Sequence, residues 1–181
     1  RTIYTKILNS YPGMHDVRLV LANLLLRTGK TREAQQEFEL LTRVLPAESV
    51  LAQPRIWQPL LDVRIAEQLA RPVADRDWKS VNNLVSKLKE LPAELLSDED
   101  KTLLQARVLA QQGNVENALG MVLPLRQQQP DNPKHWFEWA LLESKKSKPR
   151  ELLEQLSAAP AAVLNDQRML LIQGNQWAAI G

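Results

Sequence analysis

The sequence contains no cysteine, and this absence excludes three kinds of chemistry. Without thiols the chain has no disulfide framework, no thiolate metal site and no cysteine nucleophile. Aromatic residues make up only 5% of the 181 residues, and glycine occurs six times. A twisted sheet needs β-branched and aromatic residues with glycine-rich turns, so this composition favours helix. We therefore expect an all-α protein.

A long apolar run and a one-sided charge are also missing. No stretch approaches the roughly 20 apolar residues that cross a bilayer, so we expect no membrane insertion of this segment. The 23 basic and 21 acidic residues are interspersed along the chain, which argues against a nucleic-acid-binding surface. The densest basic run, 145–150, falls at a predicted turn and is interpreted as solvated charge. The composition leaves the compartment open.

Residues suited to catalysis are scarce. The two histidines, His15 and His135, each lie near a predicted helix start beside a turn, where we expect them at the surface. The sequence has no glycine-rich phosphate loop, no nucleophile elbow and no zinc-protease motif. His135 and Glu138 could share a helix face, but two ligands without a third do not make a metal site. We expect no enzymatic activity, no catalytic residue, no cofactor and no metal.

A repeated pattern is what the sequence does contain. Five residues recur after 84 positions and a sixth position stays apolar: Ala22, Leu25, Gly29, Ala34, Phe38 and Pro46 correspond to Ala106, Leu109, Gly113, Ala118, Val122 and Pro130. Tyr4 and Pro12 lie 34 residues before Phe38 and Pro46, which gives the underlying period. A period of this length predicts a solenoid of antiparallel helix hairpins. The alanines let two helices approach closely, and each glycine ends the first helix of its pair.

The pattern divides the chain into repeats of unequal quality. We place them at 15–48, at 50–95 with an insertion, at 98–132 and at 133–163, with partial hairpins at 1–13 and 164–181. Asp16 and Ser97 are predicted to cap helices, and the last partial hairpin is expected to start a second helix at Gly174. We interpret 1–181 as a single superhelical domain and as part of a longer protein. The uncovered apolar stripes of the two partial hairpins predict self-association.

These residues resemble the tetratricopeptide repeat family. The family unit has 34 residues, a small residue within the first helix, glycine at the turn, alanine early in the second helix, an aromatic four residues later and then proline. Residues 15–48 and 99–132 match best, although Val122 replaces the aromatic. The resemblance implies a right-handed α-solenoid of about four to five repeats with truncated ends. It also implies a concave wall of first helices that holds a peptide or partner segment.

The resemblance implies a non-enzymatic scaffold for protein–protein interaction within a larger bacterial protein. Leu19 and Leu103 stand where a carboxylate-binding clamp would need basic or amide side chains, so we exclude that subset. The candidate partner-binding residues are Asn23, Arg27, Arg107, Gln111, Lys134 and Phe137. The alternative is a periplasmic region of a secretion or exopolysaccharide-export system that guides a glycan or bridges envelope components. The tryptophans are assigned to packing between repeats: Trp57, Trp78, Trp136, Trp139 and Trp177. The cluster of Trp136, Phe137 and Trp139 is the exception, because three aromatics within four residues cannot all point the same way on a helix, and we expect at least one of them to be exposed.

Overall fold

The computed structural model describes residues 2–181, except for the side chain of Thr2, and the described residues form twelve α-helices and no strand. The predicted all-α fold is confirmed. Across residues 2–181, every helix is too short or too polar to cross a membrane. The chain divides into two compact units, the first ending at Leu95 and the second beginning at Leu96.

The first unit is a series of helices that pack on their neighbours in the chain, as in an α-solenoid. Contacts join α1 to α2, α2 to α3, α3 to α5 and α5 to α6. The helices are α1 (Thr2–Ser10), α2 (His15–Arg27), α3 (Thr31–Val44), α4 (Ala47–Leu51), α5 (Pro54–Leu69) and α6 (Lys79–Lys89).

The second unit is also a series of packed helices, and its helix α12 contacts α9 and α10. Contacts join α7 to α8, α8 to α9, α9 to α12 and α10 to α12. The helices are α7 (Asp98–Gln111), α8 (Val115–Gln128), α9 (Pro133–Glu143), α10 (Pro149–Ser157), α11 (Ala161–Leu164) and α12 (Gln167–Ile180). The predicted helix hairpins are therefore present as packed pairs such as α2 with α3 and α7 with α8. The right-handed superhelix stays a prediction.

The alanines of the repeat lie where the two helices of a hairpin meet. Ala22 and Ala34 are fully buried between α2 and α3, and Ala106 and Ala118 hold the same places between α7 and α8. Each methyl group fills a contact in which a larger side chain would push the helices apart. The repeat seen in the sequence thus predicts the closest helix contacts in both units.

Glycine ends the first helix of these two hairpins in a left-handed conformation. Gly29 has a φ of +74° and Gly113 a φ of +90°, a region that other residues rarely adopt. The N–H of Gly29 donates to the carbonyl of Leu26 at 3.1 Å, and the N–H of Lys30 donates to that of Leu25 at 2.9 Å. This pair of bonds is a Schellman motif, and Gly113 lies in an equivalent one.

Several local predictions for the first unit are wrong. Helix α2 begins at His15, so Asp16 lies in its first turn and Met14 is the N-cap. The repeat given an insertion has a long connection between α5 and α6 with a 3-10 turn at Val73–Asp75, and the extra helix α4 before α5 was not predicted. The helical spacing of Ile56, Leu60, Val63 and Leu69 predicts that all four are buried, but Leu69 is 40% exposed because it is the last residue of α5.

The predicted break at Gly174 is also wrong, since α12 runs without interruption to Ile180. Gly174 does not adopt the positive φ that ends α2 and α7. A single glycine lowers helix stability by about 1 kcal/mol, and the turns on either side offset that cost. Residues 164–181 therefore contain one long helix with its lead-in, and no second helix begins at Gly174. By contrast, Ser97 caps α7 as predicted, its Oγ accepting from the N–H of Asp100 at 3.1 Å.

The tryptophans follow the packing prediction with one exception. Trp57, Trp136 and Trp139 are buried and Trp78 is half-buried. Phe137 is half-buried as well, so the expected exposure of one aromatic of the cluster is wrong, because α8 and α12 cover α9 on different sides. Trp177 is 62% exposed on α12, so the packing assignment is wrong for this residue.

Candidate functional site

The first helices of the second unit present a polar surface, which we call the α7–α9 face. Four of the six candidate residues lie on it. Its members from α7 are Glu99, Asp100, Arg107 and Gln111, and those from α9 are Lys134, Phe137 and Glu138. Residues about 34 positions apart meet across the two helices, as expected for successive repeats.

A three-residue ion cluster ties the beginnings of the two helices together. Lys134 Nζ donates to Glu99 Oε1 at 2.9 Å and to Asp100 Oδ1 at 2.5 Å. The Ser97 hydroxyl donates to the other oxygen of Asp100 at 2.6 Å. All four side chains remain partly open to solvent. Asp100 therefore takes part both in the N-terminal cap of α7 and in the ion cluster that joins α7 to α9.

This cluster shifts the pKa values of its members in the directions that favour charge. The hydrogen bond from Lys134 is the main cause of the lowered pKa of Glu99, and burial opposes it. Burial raises the pKa of Asp100, but hydrogen bonds from Lys134 and Ser97 and the lysine charge together bring that pKa below its ordinary value. Burial likewise works against Lys134, yet its bonds to the two carboxylates raise its pKa overall.

Further along the face, the candidate residues are also partnered within the chain. Arg107 forms an ion pair with Glu138, whose side chain is 10% exposed while that of Arg107 is 48% exposed. Gln111 accepts a hydrogen bond from Lys145 at 3.3 Å. Phe137 is half-buried beneath the guanidinium of Arg168, 5.5 Å from the ring centroid. The candidate residues of the α7–α9 face are therefore paired within the chain but remain partly exposed to solvent.

The other two candidate residues lie in the first unit. Asn23 is half-buried, and its Nδ2 donates to the carbonyl of Leu19 at 2.9 Å, one turn earlier in α2. Arg27 is exposed in the last turn of α2. It makes no ion pair within the part of the chain that the structure describes. Arg27 is thus the more available of the two.

His135 corrects the prediction that both histidines lie at the surface. His15 is half-buried, but His135 is completely buried because the first turn of α9 packs against α7. Its Nε2 lies 3.1 Å from Glu99 Oε1 without hydrogen-bond geometry, and its Nδ1 has no hydrogen-bond partner among residues 2–181. Nothing in the local sequence signals this burial, which depends on the neighbouring hairpin.

Sequence reasoning also missed a cation held by two tryptophans. The guanidinium of Arg126 lies 4.6 Å from the ring centroid of Trp136 and 4.2 Å from that of Trp139. The two indoles meet edge to face, with centroids 5.6 Å apart. Burial lowers the pKa of Arg126, and the charge of Glu143 opposes that shift. The cluster fixes α8 against α9, and the density of aromatics in α9 was its one signal in the sequence.

The first unit has a polar groove of its own between α3 and α5. The groove has a volume of about 560 Å³. Gln35 Nε2 bridges it, donating to Glu39 Oε1 at 2.9 Å and to Glu67 Oε2 at 3.1 Å. Arg71 pairs with the other oxygen of Glu67 at 2.7 Å. The groove, like the α7–α9 face, offers hydrogen-bonding groups on a rigid helical support.

Comparisons with known proteins give one structural likeness. No family model matches the chain, and no curated protein matches it significantly. Among solved structures, the chain is similar to YrrB, described with its crystal structure as a TPR protein with an unusual peptide-binding site. The two are 13% identical, the match covers 98% of this chain and 83% of that one, and the TM-score is 0.49.

Proposed function

We propose that this chain is a non-enzymatic scaffold for protein–protein interaction and that it binds an extended segment of a partner protein along the exposed polar faces of its first helices. The proposal includes the setting expected from the sequence, a larger bacterial protein. The α7–α9 face is the main surface, and Arg27 contributes a further cation in the first unit.

The observation that carries the proposal is the composition of the α7–α9 face. Two helices joined by ion pairs, α7 and α9, carry charges of both signs, an amide and an aromatic ring at helical spacing. Side chains such as Arg107 and Lys134 are partly exposed, so each keeps donors free for a second partner. An extended peptide is recognised by such an array of side-chain hydrogen bonds, with little rearrangement of the scaffold.

A charge swap tests this surface without breaking its internal ion pair. The double variant Arg107→Glu with Glu138→Arg keeps a pair across the two helices but reverses the charge offered to a ligand. We expect the captured partner, identified by mass spectrometry after cross-linking, to lose affinity for this variant by about tenfold, the effect of one charged hydrogen bond. Circular dichroism should show unchanged helix content.

Arg27→Glu extends the test to the first unit, and Arg43→Glu is its matched control. Both arginines are exposed in the last turn of their helices, but Arg43 lies on α3, a second helix. Weaker capture by the Arg27 variant and normal capture by the Arg43 variant support binding by the first helices. Equal capture by the wild type, the charge swap and both single variants rejects the proposed surface.

The alternative function, a periplasmic region that guides a glycan, has one observation in its favour. Trp177 is 62% exposed, and an exposed indole can stack on a sugar ring. Titration with an oligosaccharide should then change the tryptophan emission of the wild type and leave that of Trp177→Phe unaltered. An unchanged wild-type emission excludes this role for Trp177.

A further inference from the structure

The first unit contains a small cavity whose wall is the inserted helix. Helix α4 lies in the connection between α3 and α5, where the second unit joins α8 to α9 through only residues 129–132. Pro46 turns the chain into α4, and Val50 of that helix is buried. Between α4, α5 and α6 lies a cavity of about 200 Å³, which we call the α4 pocket. The insertion therefore adds a concave site to the hairpin pattern.

The pocket has an apolar floor and a cationic rim. Its floor is formed by Val50, Leu60 and Leu84, each less than 10% exposed. Its rim carries the polar side chains of Arg64, Asn83 and Lys87. The described residues that line the pocket include no acidic side chain. Asn83 and Lys87 are one helical turn apart and share a face of α6.

The two cations on the rim have unused hydrogen-bonding capacity. Lys87 is exposed and forms no ion pair with any of residues 2–181, as judged from the described side chains. Arg64 donates to the carbonyl of Ser80 at 3.2 Å, which engages one of its five N–H groups. Burial lowers the pKa of Arg64, while the charges of Glu39 and Glu67 oppose the shift. These two carboxylates line the separate groove between α3 and α5, so they do not occupy the pocket.

We propose that the α4 pocket anchors a partner peptide through one apolar side chain, such as leucine, that is followed by an acidic residue. The apolar side chain fills the floor, and the neighbouring carboxylate is bound by Lys87 and Arg64. The size supports a single side chain, because pockets for whole drug-sized ligands have volumes of about 300 Å³ or more. The positive rim above a buried apolar floor is complementary to this pair of residues. The inference rests on the proposed scaffold function and specifies one partner contact in the first unit.

Methyl-resolved NMR of the complete chain tests the pocket directly. The probe is the blocked hexapeptide acetyl-Gly-Ser-Leu-Asp-Ser-Gly-amide, titrated to millimolar concentration. We expect the methyl signals of Val50, Leu60 and Leu84 to shift. Replacing leucine by alanine in the peptide, or aspartate by asparagine, should weaken binding by about tenfold each. Absence of shifts in these methyl groups, or equal binding of all three peptides, overturns the proposal.

Two variants and one competitor complete the test. Lys87→Gln should weaken the peptide several-fold, whereas Lys89→Gln, on the same helix but outside the pocket, should not. Ala47→Phe places a ring at the exposed edge of the pocket and should block binding without disturbing the core. Free 4-methylpentanoate has a leucine-like chain and a carboxylate, so it tests whether the pocket prefers a small carboxylate to a peptide. If it binds as tightly as the peptide, the pocket takes small carboxylates and the peptide assignment is wrong.

The failure of this inference is distinguishable from the failure of the proposed function. Unmoved pocket methyl groups, together with loss of partner capture by the Arg107→Glu with Glu138→Arg variant, reject the pocket and leave the scaffold proposal intact. Pocket methyl shifts support the anchor, and the charge-swap capture experiment decides separately whether the α7–α9 face binds the partner.

Discussion

Replacing either of two glycines in the α7–α8 hairpin by alanine is expected to change stability in opposite directions, because the two glycines have different backbone conformations. Gly113 has a φ of +90°, whereas Gly120 lies within α8, and an added Cβ would meet no atom within 4 Å at either position. The backbone conformation, and not a steric clash of the new methyl group, therefore decides whether each substitution stabilises or destabilises the unit. We expect Gly113→Ala to destabilise the second unit by about 1 to 2 kcal/mol and Gly120→Ala to stabilise it by about 0.5 to 1 kcal/mol. Urea denaturation followed by circular dichroism measures both, and a loss in both variants would contradict the account.

At the scale of single residues, the sequence is informative where a side chain has only one plausible role. Ala22 and Ala118 are buried as predicted, because the repeat leaves room for nothing larger. His135 shows the limit of such reasoning, since a polar residue beside a turn is usually exposed. Its burial arises from the neighbouring helix α7, and contacts between repeats are not encoded in the local pattern.

At the scale of helices, the ion cluster of Glu99, Asp100 and Lys134 between α7 and α9 makes the stability of the second unit depend on pH. Glu99 and Asp100 have lowered pKa values, so their contribution is present above the ordinary carboxyl pKa and is lost as the pH falls through the lowered values. Lys134 has a raised pKa, so its contribution is present at neutral pH and is lost only as the pH rises through that raised value. The ion cluster is therefore complete near neutral pH and disappears in acid, below about pH 4.

Lys134→Met tests this dependence. We expect a loss of about 1 kcal/mol at neutral pH, the upper end for partly exposed ion pairs, because two carboxylates share one ammonium group. The loss should shrink in acid, so that the variant and the wild type converge. Lys146→Met is the control, because the pair of Lys146 with Glu116 is well exposed and should contribute little. Parallel pH profiles for wild type and Lys134→Met would contradict the prediction.

Helix ends were predictable only where the chain carries a strong stop signal. Gly29 and Gly113 adopt the left-handed turn that ends α2 and α7. Gly174 has the same identity but lies inside α12. Trp177, Ala178 and Ala179, after Gly174, continue the helix. The candidate site was predictable only in part: Arg107 and Lys134 pair across α7 and α9, but their partners Glu138, Glu99 and Asp100 were not foreseen.

At the scale of the whole molecule, exposed apolar residues on α12 bear on the predicted self-association. Leu170, Leu171 and Trp177 are each more than half exposed, and their spacing places them along neighbouring stripes of one helix. Contiguous apolar surface of this kind favours association. We expect light scattering to show a concentration-dependent rise in mass that Trp177→Lys abolishes. A monomer at all concentrations would contradict this expectation.

The division into two compact units predicts that each folds without the other. The second unit buries a continuous apolar cluster that includes Ala118, Trp136, Trp139 and Met169. A chain of this size has a marginal but sufficient core. We expect residues 1–95 and 96–181, produced separately, each to show a helical circular dichroism spectrum and a cooperative urea transition.

A different cut supplies the control for this prediction. Cleavage between Gly113 and Asn114 separates α7 from α8, whose buried alanines Ala106 and Ala118 pack against each other's helix. The fragments 1–113 and 114–181 should therefore leave apolar surface open and lose cooperativity in the second unit. If the fragments 1–95 and 96–181 are equally uncooperative, the two units depend on each other and the single-domain interpretation of the sequence is the better one. If only the cut at Gly113 abolishes the transition, the hairpin of α7 and α8 must be intact for the second unit to unfold cooperatively.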